Sequence, residues 1–231
     1  RDQFIQTYLE RDLGVMGFNA PPLAMRRFWT MLAHVQGQQL NVSQLAEAMG
    51  ETQHKTRRYL ETLASTFMIR LLQPWHANVK KREVKASKVY IADSGLLHAL
   101  LGLEAQEDLM GHPKRGASWE GFAMGEIIAR LGLRAADCYF WALHGGAELD
   151  LLTHQHGRLI GYEFKLSSAP RTTKSMHSAV ETLGLDMLYV IHPGEQHWPM
   201  AANIQALGLA ATEPPSLSCA FTQPLHFPDT H

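Results

Sequence analysis

Glu148, Asp150, Glu163 and Lys165 lie in two short apolar-rich runs on either side of His156-Gly157, a spacing that can gather three carboxylates and one ammonium. If His156 and Gly157 are the central residues of a two-residue hairpin turn, Gln155 pairs with Arg158, Asp150 faces Glu163 and Glu148 faces Lys165. Opposed residues project to the same side with Cβ atoms about 5 Å apart. The four polar side chains should then share one face, with Leu149, Leu151, Tyr162 and Phe164 on the other. Carboxylates this close raise one another's pKa or recruit a cation. A hard divalent ion such as Mg2+ takes oxygen ligands and keeps several waters, and it stabilises charge developing on phosphorus. Metal-assisted phosphodiester hydrolysis is the chemistry that suits this set. The competing reading is a solvated sheet face on which Glu148 tethers Lys165. An acid-x-Lys triplet alone is weak evidence, since Glu83-Val84-Lys85 repeats it without an acid on a partner strand.

Positioning these groups needs an α/β frame. Ser118 is a candidate cap for a helix over 119–131 that carries Glu120 and turns Phe122, Ala123, Ile127 and Leu131 inward. Strands are expected over 139–143, 147–153 and 158–166, a helix near 173–183 and a strand over 187–192, an α/β order. Lys174 and Arg171, at the entrance to that second helix, could meet a phosphate.

The front of the chain follows another pattern. A helix over 1–17 with Phe4, Ile5, Tyr8, Leu9 and Leu13 in helical spacing reads as a linker from an upstream module. After Pro21-Pro22 comes a helix over 23–36, then a short helix capped by Asn41 and stopped at Gly50, then a third capped by Thr52. Lys55, Arg57 and Arg58 of that third helix point outward. Two β-rich runs over 67–75 and 88–92 follow, with Lys80, Lys81, Arg82 and Lys85 between them. Helix, short helix, turn, helix and hairpin is the order of a winged helix-turn-helix, with one positive side fit for DNA. The fold class expected is therefore mixed α and α/β. Residues 1–21 form a linker helix, 22–103 a winged helix-turn-helix with a trailing helix, 104–212 an α/β domain and 213–231 a Pro-rich tail.

Composition agrees with two modules. The 231 residues are 45% hydrophobic with a net charge of −1, but residues 1–95 hold 13 basic against 8 acidic side chains and residues 96–231 hold 8 against 14. The front is fit to meet phosphate and the back to hold cations. No run approaches the roughly 18 apolar residues of a spanning helix, so no membrane is expected. Two distant cysteines, Cys138 and Cys219, suit a reducing cytoplasm. The start at Arg1, with no leader, reads as a fragment or processed chain. No G-x-x-x-x-G-K-[ST] loop is present, so ATP hydrolysis is expected only in a module upstream. The thirteen histidines show no zinc spacing.

Glu120, Asp150 and Glu163-Phe164-Lys165 resemble the signature of the PD-(D/E)XK, or restriction-endonuclease-like, superfamily. The wider chain resembles the C-terminal domain of unknown function of a prokaryotic AAA-type ATPase family. The stretches that carry this resemblance are Thr7 to Asp12 (TYLERD), Arg27 to His34 (RFWTMLAH), Tyr90 to Leu97 (YIADSGLL), Gly116 to Phe122 (GASWEGF) and Gly145 to Asp150 (GGAELD). The resemblance implies Asp150 and Glu163 as ligands of Mg2+ or Mn2+, with the Phe164 carbonyl beside them. It implies Lys165 orienting water or stabilising the phosphorane, and Glu120 serving a second ion or a metal-bound water. DNA and an upstream ATPase domain are the implied partners, with a protein partner or a second copy of the chain as alternatives. A module that keeps the nuclease-like fold and only binds DNA or protein is the alternative function.

Overall fold

The structure is a computed structural model that describes residues 1–76, 84–144 and 146–210. The tail over 213–231 and the basic residues Lys80, Lys81 and Arg82 fall outside these. Helices α1 (Asp2–Thr7) and α2 (Leu13–Val15) are joined by a π-helical turn, Tyr8–Asp12, into one rod. Ile5, Tyr8, Leu9 and Leu13 are buried in the same core as Phe28, Trp29 and Leu32, so this segment is an integral part of the front half. Next come α3 (Pro22–His34), α4 (Val42–Met49) and α5 (Gln53–Ser65). Two of the expected caps form. Asn41 Oδ1 accepts from the Gln44 amide at 3.1 Å and Thr52 Oγ1 from the Lys55 amide at 3.2 Å, while Gly50 adopts the left-handed conformation that ends α4.

β1 (Ile69–Pro74) and β2 (Lys88–Ile91) pair antiparallel, followed by α6 (Ser94–Leu100) and α7 (Gln106–Gly111). α7 lies just after the domain boundary expected at residue 104, in a polar stretch punctuated by Gly and Pro. The long helix α8 (Arg115–Arg130) begins before Ser118, which is therefore inside the helix and not its cap. The Ser118 hydroxyl instead meets His98 Nε2 at 2.8 Å and ties α8 to α6. Phe122, expected inside, is 44% exposed, and the inward face is carried by Ala123, Met124 and Ile127.

The remaining elements are β3 (Cys138–Ala142), β4 (Glu148–Gln155), β5 (Arg158–Phe164), α9 (Lys174–Leu183), β6 (Met187–His192), β7 (His197–Ala201) and β8 (Ile204–Gly208). His156 and Gly157 both take positive φ, 50° and 79°, as the tight turn between β4 and β5 requires. β7 and β8 carry no strong alternation and are not expected from the sequence. β3, β4 and β5 are antiparallel neighbours, whereas β5, β6 and β8 run parallel.

The strands of the described residues belong to one eight-stranded mixed sheet of order β2-β1-β3-β4-β5-β6-β8-β7. Its front and back sections meet where β1 runs parallel to β3, Gln73 beside Tyr139 and Pro74 beside Phe140. One layer, with Ala123, Met124 and Ile127 of α8, packs on Phe140, Leu151, Tyr162 and Ile191; the other, with Met176 and Ala179 of α9, packs on Trp141, Leu149, Leu152 and Val190. Gly161 lets the second layer close, because a Cβ there would come within 2.8 Å of the Leu185 side chain.

Candidate functional site

The centre of the sheet departs from simple alternation, and the departure builds the site. Tyr139 pairs with Leu152 but Trp141 with Leu149, so Asp150 and Leu151 together oppose Phe140 in a β-bulge. The extra residue splits the leucines. Leu151 joins Tyr162 and Phe164 on the α8 side, while Leu149 turns to the α9 side with Leu152. The expectation of Leu149 and Leu151 on one face is thereby corrected. The regular ladder of β4 and β5 runs as far as Leu151 and Tyr162. Beyond it the Phe164 amide donates to Asp150 Oδ2 at 3.0 Å, so a carboxylate takes the place of a strand carbonyl.

Asp150 lies near enough to Glu163 across these strands for its charge to raise the Glu163 carboxyl. Lys165 Nζ donates to Glu163 Oε2 at 2.7 Å. Glu148 is not the tether of Lys165. Its carboxylate pairs with Lys88, from the edge strand β2, and its backbone is held by Ser175 of α9: the Glu148 amide donates to Ser175 Oγ at 2.7 Å and that hydroxyl donates to the Glu148 carbonyl at 2.6 Å.

Lys88 is the residue that sequence inspection misses. Its side chain is only 4% exposed, and Nζ also lies 3.8 Å from both Glu120 Oε1 and Asp150 Oδ1 and 5.4 Å from the centre of the Phe140 ring. Two residues along β2, the Tyr90 hydroxyl donates to Glu120 Oε1 at 2.5 Å. Residues i and i+2 of a strand face one side, so β2 presents an ammonium and a phenol to the carboxylates. The only signal in the sequence is that alternation, in a strand that reads as part of an exposed wing.

Four carboxylates (Glu120, Glu148, Asp150, Glu163) meet two ammonium groups (Lys88, Lys165), a formal excess of two negative charges if all are ionised. Burial, then the neighbouring Asp150 charge, raises the Glu163 carboxyl to about 8 and the Glu120 carboxyl to about 7. Burial opposes the Lys88 ammonium, yet Asp150, Glu120 and Glu148 together hold its pKa above the ordinary lysine value, and Lys165 is raised likewise by Glu163 and Asp150. Burial and the Glu120 charge push the Tyr90 phenol well up, so it stays a hydrogen-bond donor.

Two protons or one divalent cation would balance such a cluster. The donors are oxygens of the kind a hard cation takes, and the excess charge matches it. Among the described residues no three acidic, histidine or cysteine side chains stand at metal-ligand spacing. The carboxylates of Glu120, Glu148 and Asp150 surround the Lys88 ammonium instead. The donor type and the charge suit a hard cation, but the spacing does not form a ligand set, and Lys88 occupies the middle.

Lys55, Arg57 and Arg58 lie elsewhere, on α5. Arg57 and Arg58 are exposed on α5, while Lys55 pairs with Glu51 at 2.6 Å. A groove of about 740 Å³ runs between α4, α5 and the approach to β2, lined among others by Asn41, Ser43, Arg57 and Lys85. Arg171 and Lys174 are exposed at the start of α9.

Comparison with known proteins matches residues 1–107 to a domain of unknown function (DUF8612) and residues 115–212 to a domain of unknown function (DUF4143). The chain is 42% identical over 207 residues to an uncharacterized protein of Mycobacterium tuberculosis and, equally, to one of Mycobacterium bovis. The alignment covers 90% of this chain and 46% of each relative, so the chain spans about half the length of the curated relatives it matches. No solved structure matches it. No helix among the described residues is long and apolar enough to cross a membrane.

Proposed function

We propose that this chain is the nucleic-acid-directed region of a larger AAA-type ATPase, with a PD-(D/E)XK nuclease-like unit that hydrolyses phosphodiester bonds in DNA with Mg2+ or Mn2+. A winged helix-turn-helix formed by α3, α4, α5, β1 and β2 docks DNA or a protein partner. The observation that carries the first part is the meeting of Asp150, Glu163 and Lys165 where β4 and β5 part, with Glu120 brought from α8. Asp150, Glu163 and Glu120 would hold the ion, with the Phe164 carbonyl adjacent. Bound there, the ion would acidify a water and stabilise charge on phosphorus.

The chain's own groups do the rest. The Phe164 amide orients Asp150, and Tyr90 orients Glu120. Lys165, fixed by Glu163, offers an ammonium to the attacking water or to the charge that grows on phosphate oxygens. Exposed Arg57 and Arg58, with Lys85 across the groove, supply the phosphate contacts of docking.

One observation favours the second reading, a module that binds DNA or protein without cleaving. Lys88 already neutralises part of the cluster. Plasmid nicking with Mg2+ or Mn2+ separates the two: cleavage by the wild type that is lost in Asp150→Asn and Lys165→Ala supports the nuclease, and wild-type inactivity on DNA and RNA across both metals supports the binding module.

A further inference from the structure

Lys88 sits apart from the rest of the cluster in origin. Glu120, Glu148, Asp150, Glu163 and Lys165 all come from the back half, but Lys88 reaches them from β2 at the far edge of the front hairpin. Its backbone is built into the connection that leads to α4: Gln39 bridges Lys88, the Gly37 amide donates to the Val89 carbonyl at 2.8 Å and the Leu40 amide to the Ser87 carbonyl at 2.8 Å. The Gln36 carboxamide oxygen accepts from the Ile91 amide at 2.7 Å. The residue after Leu40 is Asn41, the cap of α4 and part of the groove with Arg57 and Lys85. The α4–α5 pair and the Lys88 strand are thus joined by hydrogen-bonded backbone.

Placement of the ammonium matters as much as its origin. A buried ammonium with three carboxylate neighbours does the electrostatic work of a bound cation, and two cations cannot share so small a space without mutual repulsion. We propose that Lys88 is a resident counter-ion of the carboxylate cluster that a divalent cation must displace, so that occupation of the cluster and the position of the helix pair are thermodynamically linked. The proposal rests on the metal-dependent reading above. Metal binding favours the arrangement in which β2 withdraws its ammonium, and by reciprocity whatever draws β2 away raises metal affinity. Lys88 is here a positioning residue, acting on the ion and never on the substrate.

The test is Mn2+ binding by isothermal titration calorimetry on the intact chain, with thermal unfolding with and without Mn2+ as a second readout. Lys88→Met is expected to bind Mn2+ at least tenfold more tightly than the wild type and to gain a larger Mn2+-dependent rise in Tm. Lys88→Arg, which keeps the charge, is expected to stay as weak as the wild type. Should Lys88→Met fail to fold without metal, refolding on Mn2+ addition read by circular dichroism supports the proposal, and failure to refold overturns it. Glu148→Gln, which loosens Lys88 at a partly exposed partner, is expected to show an intermediate gain. Asp150→Asn controls for the site. Equal, Asp150-dependent affinity in the wild type and Lys88→Met overturns the counter-ion role while leaving the metal reading standing. No Mn2+ binding in any variant overturns both and marks the cluster as a permanent ion-pair joint.

Discussion

The side-chain amide of Gln36 fills the space that a Cβ at residue 121 would need, with Nε2 2.5 Å from that position. Gln36 is 2% exposed and its oxygen is held by the Ile91 amide, so the side chain has nowhere to retreat. Gly121 therefore lets α8 rest against the end of α3 and keeps Glu120 over β2. Gly121→Ala should destabilise the fold by about 1–3 kcal/mol through overpacking, despite the better helix propensity of alanine. Chemical denaturation checks this. An unchanged midpoint would show that Gln36 finds another rotamer.

Acidity in the cluster sets a direction for stability. Glu163 and Glu120 titrate near 8 and 7 in the fold against an ordinary 4.5, so the folded state binds more protons than the unfolded chain between those values. Stability from these groups is then greatest at the acidic end of that window and falls as pH rises toward 8. In chelator, Tm should decline across this range. Glu163→Gln should flatten the upper part of the decline; a slope as steep as the wild type would assign it to other groups.

Arg57 and Arg58 are exposed on α5, and Arg57 lines the groove that Lys85 also borders. Reversing both charges to Glu should weaken binding of duplex DNA at least tenfold and reduce the slope of log K against log salt by about 2. A slope equal to that of the wild type would assign this face to protein docking.

Two caps hold the helix pair. Asn41→Ala and Thr52→Ala each remove a side-chain acceptor for an amide of the first turn, at 3.1 and 3.2 Å. Each should cost about 1 kcal/mol in urea denaturation. A neutral result would show water satisfying those amides equally well.

Much of the frame can be read from local rules. Asn41 and Thr52 announce two helix starts, His156-Gly157 announces the hairpin, and the turn sets the pairing of Gln155 with Arg158 that brings Asp150 to Glu163. What local rules omit is set by distant packing. The bulge at Asp150 and Leu151 depends on how β3 lies against β4, and nothing in the run ELDLL marks it. Ser118 looks like a cap, but its helix begins at Arg115 and packs against α6 and α7. Lys88 is the clearest case. In isolation it belongs to a basic hairpin, and it becomes a buried group only because β1 runs beside β3, which sets its own hairpin on the sheet that holds the acids.

That short seam of β1 on β3 also decides what can be exchanged between related proteins. A graft that transplants residues 115–212 alone would inherit the carboxylates of Glu120, Glu148 and Asp150 but leave their ammonium partner behind in the donor. The two matched segments are thus not interchangeable cassettes, and a shuffled descendant would have to carry a compensating charge from its new neighbour or lose the acids altogether.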